Sequence, residues 1–288
     1  MPATPAANAS ASDAANAAVV FFDVDGTLVW DRSVDDPENS IVDLVPTPAV
    51  YDAFERLRDR GHKAFICTGR TLDSIGKPLL SLKSAGIISG AGACVSIDGE
   101  ILAEQSIPVE LLEETVRHLV ALSVEVVFEG ARESVALMRP GAVYRAIPGV
   151  PTVHDLEGLR RVAPAMDFEK FAFFADVIPV LKRDADFFLT RYDLCDLGIG
   201  LGEMSLAGVN KGSGVQRALE VLGQAPDGGS WRTYAFGDSE NDLPMLRAVD
   251  VPVAMGNALP QVKAMAAYVT DRVEQDGVAT GLAHFGLI

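Results

Sequence analysis

Apolar strand-like runs alternate with amphipathic helical patterns along most of the chain, and this alternation constrains its fold more than any other feature. "VVFFD" at 19–23 precedes a helical pattern from about Pro48 to Arg60, the run "HKAFICTGR", a helical pattern from Thr71 to Ser84, and "GIISGAGACVSI". Nearer the C-terminus, "NKGSGVQRALEVLG" reads as a helix and "RTYAFGDSENDLPML" as strand, turn and helix, followed by "VPVAM", "ALPQVKAMAA", "YVT" and a last short helix. Strands that are apolar throughout and separated by helices predict an α/β fold, a doubly wound parallel sheet covered on both faces.

Residues 98–206 read differently. Half-polar, alternating runs such as "GEILAEQSI", "VEVVFE", "ESVALMR", "DFEKFAFFA" and "DFFLTRY" are interleaved with helices such as "PVELLEETVRHLVAL". Alternation suits an antiparallel sheet with one wet face. The expected organisation is a core from 19–97 and 207–288, an inserted α+β domain from 98–206, and a disordered leader over 1–18, where "MPATPAANASASDAANAA" has neither the basic nor the apolar segment of a signal peptide.

Composition narrows the function classes. A formal charge of -16 disfavours nucleic-acid and anionic-membrane partners, which need basic surfaces. No apolar run approaches the ~18 residues of a membrane span. Cys67, Cys94 and Cys195 are odd in number and widely spaced, so reduced thiols in the cytoplasm are expected rather than a disulfide framework.

In open parallel sheets, functional groups gather at the carboxyl ends of the strands. Four such places carry complementary polar residues: Asp23-Val24-Asp25, Thr68-Gly69-Arg70, Lys211 at the start of a helix, and Gly237 to Asp242. A hairpin turn could explain Asp25-Gly26, but the long acidic stretch after Leu28 supplies no partner strand. Thr68 could cap the next helix, and Asn241 or Asp242 the helix containing Pro244. Lys211 is less easily explained as structural, because a cation at a helix N-terminus opposes the macrodipole and calls for an anion nearby. If Asp23, Asp25, Asp238 and Asp242 converge, each pair ~4 Å apart repels by roughly 4 kcal/mol at an effective dielectric near 20. Such a cluster requires a cation, and oxygen ligands without nearby cysteine or histidine favour Mg²⁺.

The segments "FFDVDGTL", "ICTGR", "NKG" and "GDSENDLPML", in that order and followed by "AMGNALPQVKAMAAYVT" and "DGVATGL", resemble the Cof-type sugar-phosphatase branch of the haloacid dehalogenase-like superfamily from about residue 19 to the end. The resemblance implies a Rossmann-like doubly wound core with an α+β cap inserted between the second and third motifs. It implies Asp23 as the nucleophile forming a phosphoaspartate and Asp25 as general acid and base. Thr68, Gly69 and Lys211 would bind the phosphoryl group, with Asn241 close by. Asp23, the backbone carbonyl of Asp25 and Asp238 would hold Mg²⁺, and Asp242 would orient Lys211 or the metal shell. The implied reaction is hydrolysis of small phosphorylated metabolites; the alternatives are a phosphotransferase or mutase using the same intermediate, or a phosphoaspartate switch. An acid two residues after the nucleophile can activate water, which disfavours a long-lived switch. The chain departs from the family in carrying Ala91-Gly92-Ala93 where Asn-Gly-Ala is usual, and in a longer, more acidic segment from Trp30 to Pro46.

Overall fold

The computed structural model describes residues 17–30, 44–144, 149–197 and 200–288. All of the expected leader except its last two residues lies outside the described residues, as do Arg145 and most of the acidic segment after Trp30.

Fourteen strands among the described residues form two sheets. The first contains β1 (Ala18–Phe22), β2 (Lys63–Cys67), β3 (Gly86–Ser89), β4 (Cys94–Ile97), β5 (Glu100–Glu104), β12 (Arg232–Gly237), β13 (Val251–Ala254) and β14 (Tyr268–Val269), in the order β14-β13-β12-β1-β2-β3-β4-β5. From β14 to β3 every pairing is parallel; β4 and β5 extend the sheet antiparallel. The five residues of β1 are all buried, as a central strand covered on both faces requires. Their side chains join one apolar cluster with Phe54, Phe65, Val215, Phe236 and Leu282, drawn from both ends of the chain.

The second sheet, in the order β10-β11-β9-β6-β7-β8, comprises β6 (Val126–Glu129), β7 (Ser134–Leu137), β8 (Thr152–Val153), β9 (Lys170–Phe174), β10 (Tyr192–Asp196) and β11 (Leu201–Leu206). It is antiparallel except for the short β7–β8 pairing. A separate buried cluster including Leu112, Phe128, Phe168, Phe171 and Phe188 backs it.

Three sequence expectations are corrected. "GEILAEQSI" opens with β5, which pairs with β4 in the first sheet, so the chain leaves that sheet after Glu104 and not at residue 98. The half-polar pattern reflects an edge strand, which is wet on one side in either sheet. The helix expected from Thr71 to Ser84 is reduced to a 3-10 turn, Leu72–Ser74, and one short helix, Lys77–Leu80. Gly76 and Pro78 account for this, since proline suits only a helix start and restricts the residue before it. "DFFLTRY" is a helix over Ala185–Arg191, with only Tyr192 entering β10. Phe187 and Phe188 are both buried in the second cluster, and His118 stacks on Phe187 at 3.8 Å. A strand would send neighbouring side chains to opposite faces, whereas a helix lets two adjacent residues share a broad apolar side.

Candidate active site

Asp23 follows directly on β1, its amide donating to Phe236 O on β12 at 3.0 Å. The chain then turns sharply, with the amides of Leu28 and Val29 donating to Val24 O at 2.9 and 3.0 Å. Gly26 sits at φ +89°, and a β-carbon there would lie 2.3 Å from Asp238 Oδ2. Glycine is therefore needed twice over: for the positive φ, and to let the Asp238 carboxylate approach the turn. Asp25-Gly26 serves this approach and not a hairpin.

Lys211 is the first residue of the helix Lys211–Leu222, whose N-terminus is closed by a capping box between Asn210 and Ser213. Its ammonium is 1% exposed and donates to Asp23 Oδ1 and Asp242 Oδ1, both at 2.5 Å, and more weakly to Asn241 Oδ1 at 3.4 Å. These are the anions that its position against the helix dipole called for. The second oxygen of Asp242 accepts from the amides of Asp238 and Ser239 at 2.9 and 3.0 Å, so both of its oxygens are engaged within the protein. Asn241 also accepts from Ser239 Oγ at 2.7 Å.

Asp23 and Asp238 face each other across this arrangement. One carboxylate oxygen from each of Asp23, Asp238 and Asp242 lies within 4.8 Å of the other two. Oδ1 of Asp238 is buried and has no hydrogen-bond partner among the described residues. Burial, and then the Asp242 charge, push the Asp23 carboxyl well above its usual range in spite of Lys211. The same two causes push Asp238 up to about 7. Burial works against the Lys211 ammonium, but Asp23 and Asp242 hold it well above its ordinary value. Crowded carboxylates, one with an oxygen that nothing satisfies, form a donor set suited to a hard divalent cation.

Thr68 and Gly69 follow β2, the strand beside β1, and so lie at the same sheet edge as Asp23. The amide of Thr68 donates to Ile88 O and its hydroxyl accepts from the Arg70 amide at 3.1 Å. The Asp25 side chain is half exposed, and Arg70 grips it with two bonds, Nη2 to Oδ1 at 2.6 Å and Nε to Oδ2 at 3.1 Å.

Two neighbours were given no role by the sequence. Arg70 stands in the quoted "ICTGR", but its pairing with Asp25 spans 45 positions. Asn257 donates to Gly26 O at 2.8 Å and to Asp238 Oδ2 at 3.4 Å, and accepts from the Val273 amide, tying the acidic cluster to the end of the chain. Its place in "AMGNALPQ" was the available signal. Of the cations of the second unit, Arg132 is paired with Glu104 and Asp167, and Arg139 with Glu125.

Another buried carboxyl lies at the junction of the two sheets. Glu169, just before β9, is fully buried, and neither oxygen has a hydrogen-bond partner among the described residues. It presses on Gly90, where a β-carbon would lie 2.0 Å from Oε2. Burial, then the charges of Glu104, Asp167 and Asp73 against the opposing Lys170, push it up to about 8. Because the folded value exceeds the unfolded one, this group's stabilising contribution is complete below about pH 4.5 and is lost as pH rises towards 8. Glu169→Gln should therefore raise the Tm relative to the parent at pH 8 by roughly 10 °C more than at pH 5, given ~2–4 °C per kcal/mol in a large domain. Thermal melts at the two pH values check this, and equal shifts would contradict it.

A doubly wound sheet with an acid and lysine cluster at its carboxyl edge and an inserted second sheet defines a class of α/β hydrolytic enzymes. A match to the haloacid dehalogenase-like hydrolases spans residues 20–282. The chain is 29% identical over 272 residues to an HMP-PP phosphatase of Serratia proteamaculans, covering 92% of this chain and 93% of that protein. It is 25% identical over 271 residues to a 5-amino-6-(5-phospho-D-ribitylamino)uracil phosphatase of Bacillus subtilis, covering 93% and 96%. Its fold is similar to a solved sugar phosphatase of haloacid dehalogenase subclass IIB, with a TM-score of 0.73 at 24% identity, covering 94% of this chain and all of the other. The chain belongs to the haloacid dehalogenase-like hydrolase family, in its Cof-type branch, and is an enzyme, a phosphatase.

Proposed function

We propose that the protein is a Mg²⁺-dependent phosphatase of small phosphorylated metabolites, sugar phosphates among them, working through a phosphoaspartate at Asp23. The observation that carries this reading is the buried chain Asp23–Lys211–Asp242 beside the unsatisfied oxygen of Asp238. Asp23, the backbone carbonyl of Asp25 and Asp238 would hold the cation. Bound there, Mg²⁺ would offset the carboxylate repulsion and polarise a phosphoryl oxygen. Asp242 serves as the group that orients Lys211, since both of its oxygens already accept hydrogen bonds.

Asp23 attacks phosphorus, and the bond to the leaving alcohol breaks as Asp25 gives that oxygen a proton. Lys211, the Thr68 hydroxyl and the turn at Gly69 hold the charge that builds on the phosphoryl oxygens, with Asn241 beside the lysine. Asp25 then takes a proton from water, which attacks the phosphoaspartate and releases phosphate and free Asp23. Residues 105–206 act as a cap on a core made of 19–104 and 207–288. Three free thiols, two of them buried, support a reducing, cytoplasmic setting.

Phosphate release from a panel of phosphorylated metabolites, with Mg²⁺ and with chelator, tests the reading. Activity should require Mg²⁺ and be inhibited by Ca²⁺, which prefers more ligands at ~2.3–2.6 Å where Mg²⁺ takes ~2.0–2.1 Å. Undiminished turnover in chelator, or equal rates with both ions, would overturn the metal assignment.

A further inference from the structure

A cavity of about 420 Å³ lies between the two sheets, with Lys211 and Asn241 on its core side and Glu203, Lys182 and Asp193 on the other. Glu203 belongs to β11 and is 4% exposed. Lys170 Nζ donates to its Oε2 at 2.5 Å and also meets Glu129 Oε2 at 3.1 Å, so a buried cation keeps the Glu203 carboxylate in place. Oε1 of Glu203 accepts no hydrogen bond among the described residues. Both oxygens stand 3.9 Å from where a β-carbon on Gly69 would be, which aims the carboxylate at the turn after Thr68. An acceptor that is preset, partly unused and directed across the reaction site has no task in phosphoryl transfer itself, because it would repel the phosphate.

The remaining lining has the same character. Asp193, Asp196 and Glu240 border the cavity, against Lys182 as the one described cation beyond Lys211, and Lys211 is already engaged by Asp23 and Asp242. We infer that Glu203 selects the leaving group. Its carboxylate accepts a hydrogen bond from a hydroxyl or ammonium on the alcohol part of the ester, and together with Asp193, Asp196 and Glu240 it rejects substrates that carry a second phosphate or a carboxylate. The inference rests on the phosphatase reading above and adds the chemistry of the group that leaves. Glu203 is thus a specificity residue contributed by the cap, and Lys170 positions it.

The test compares kcat/KM of the parent enzyme, with Mg²⁺, for fructose 6-phosphate, glucosamine 6-phosphate, fructose 1,6-bisphosphate and phosphoglycolate, with p-nitrophenyl phosphate as reference. At least one of the two hexose phosphates should exceed both the bisphosphate and phosphoglycolate, each of which carries a second anionic group, by tenfold or more. Glu203→Gln should lower kcat/KM for that hexose phosphate, mainly through KM, at least tenfold more than for p-nitrophenyl phosphate, and Glu203→Asp should restore part of the loss. If the parent releases phosphate from none of these substrates, the phosphatase reading falls and the inference with it. If the parent cleaves p-nitrophenyl phosphate but takes the bisphosphate or phosphoglycolate as readily as either hexose phosphate, the inference alone is overturned. The same holds if Glu203→Gln loses both kinds of substrate equally, which would make Glu203 a structural partner of Lys170. The comparison within the parent needs no substitution, so a variant that fails to fold leaves it decisive.

Discussion

Asp23→Asn is expected to abolish turnover, by a factor on the order of 10⁴ or more, the scale on which loss of a nucleophile is felt. An amide has nearly the shape of the carboxylate but cannot attack phosphorus and remain a competent leaving group in the second step. The fold should persist. Removing one partner from a buried ion pair usually costs about 3–5 kcal/mol, yet Lys211 keeps Asp242 at 2.5 Å, and the carbonyl oxygen of the substituted amide can still accept its hydrogen bond. One of several crowded carboxylates also disappears, and with it the repulsion that the Asp242 and Asp238 charges exert on Asp23. The Tm should therefore stay within a few degrees of the parent's while phosphate release vanishes. A folded variant that retains activity would remove Asp23 from the chemistry.

Asp25→Asn is the second large effect, and the more diagnostic one. Loss of acid-base assistance typically costs ~10²- to 10⁴-fold, but the two half-reactions should respond differently. A sugar alkoxide needs a proton to leave, whereas p-nitrophenolate hardly does, so with the activated ester only the hydrolytic step remains badly impaired. Phosphoenzyme should then accumulate. Rapid-quench intact-mass measurement should show a phosphate adduct with p-nitrophenyl phosphate and much less with a hexose phosphate. Little stability is at stake, because the Asp25–Arg70 pair is half exposed on the aspartate side. Parental rates on both substrates would make Asp25 merely the partner of Arg70.

The two acids of the first motif have different surroundings, which suits different tasks. Asp23 is 4% exposed and held by a buried lysine; Asp25 reaches towards solvent and is held by an arginine from the turn after β2. Nothing in "DVDG" separates them, since both aspartates end the same strand. The difference arises from what β2, β12 and the helix after Asn210 bring against each.

Much of the fold was legible in the chain because it is written in local periodicity. The fully apolar "VVFF", the helical pattern of "NKGSGVQRALEVLG" and the turn at Gly237-Asp238 each report their own backbone state. The parallel order of the sheet follows from strands separated by helices, and the edge that carries the chemistry follows from that order. Where short-range signals were ambiguous the reading failed. "DFFLTRY" fits either period over so few residues, and the neighbours that decide it, such as His118, lie some 70 positions away. "GEILAEQSI" looks the same on the edge of either sheet.

The sequence alone determined which residue types stand at the carboxyl ends of the parallel strands and at the helix start beside them: two early aspartates, a threonine, a lysine and a later acidic turn. Tertiary structure decided how they are wired: that Asp242 spends both oxygens on Lys211 and a turn, that Arg70 holds Asp25, that Asn257 braces Asp238, and that Glu203 and Glu169 of the second unit face the first. The physical reason is range. Backbone state is set by neighbours within a few residues, whereas the ionisation, pairing and burial of a side chain depend on groups that only the packed chain brings within a few ångströms.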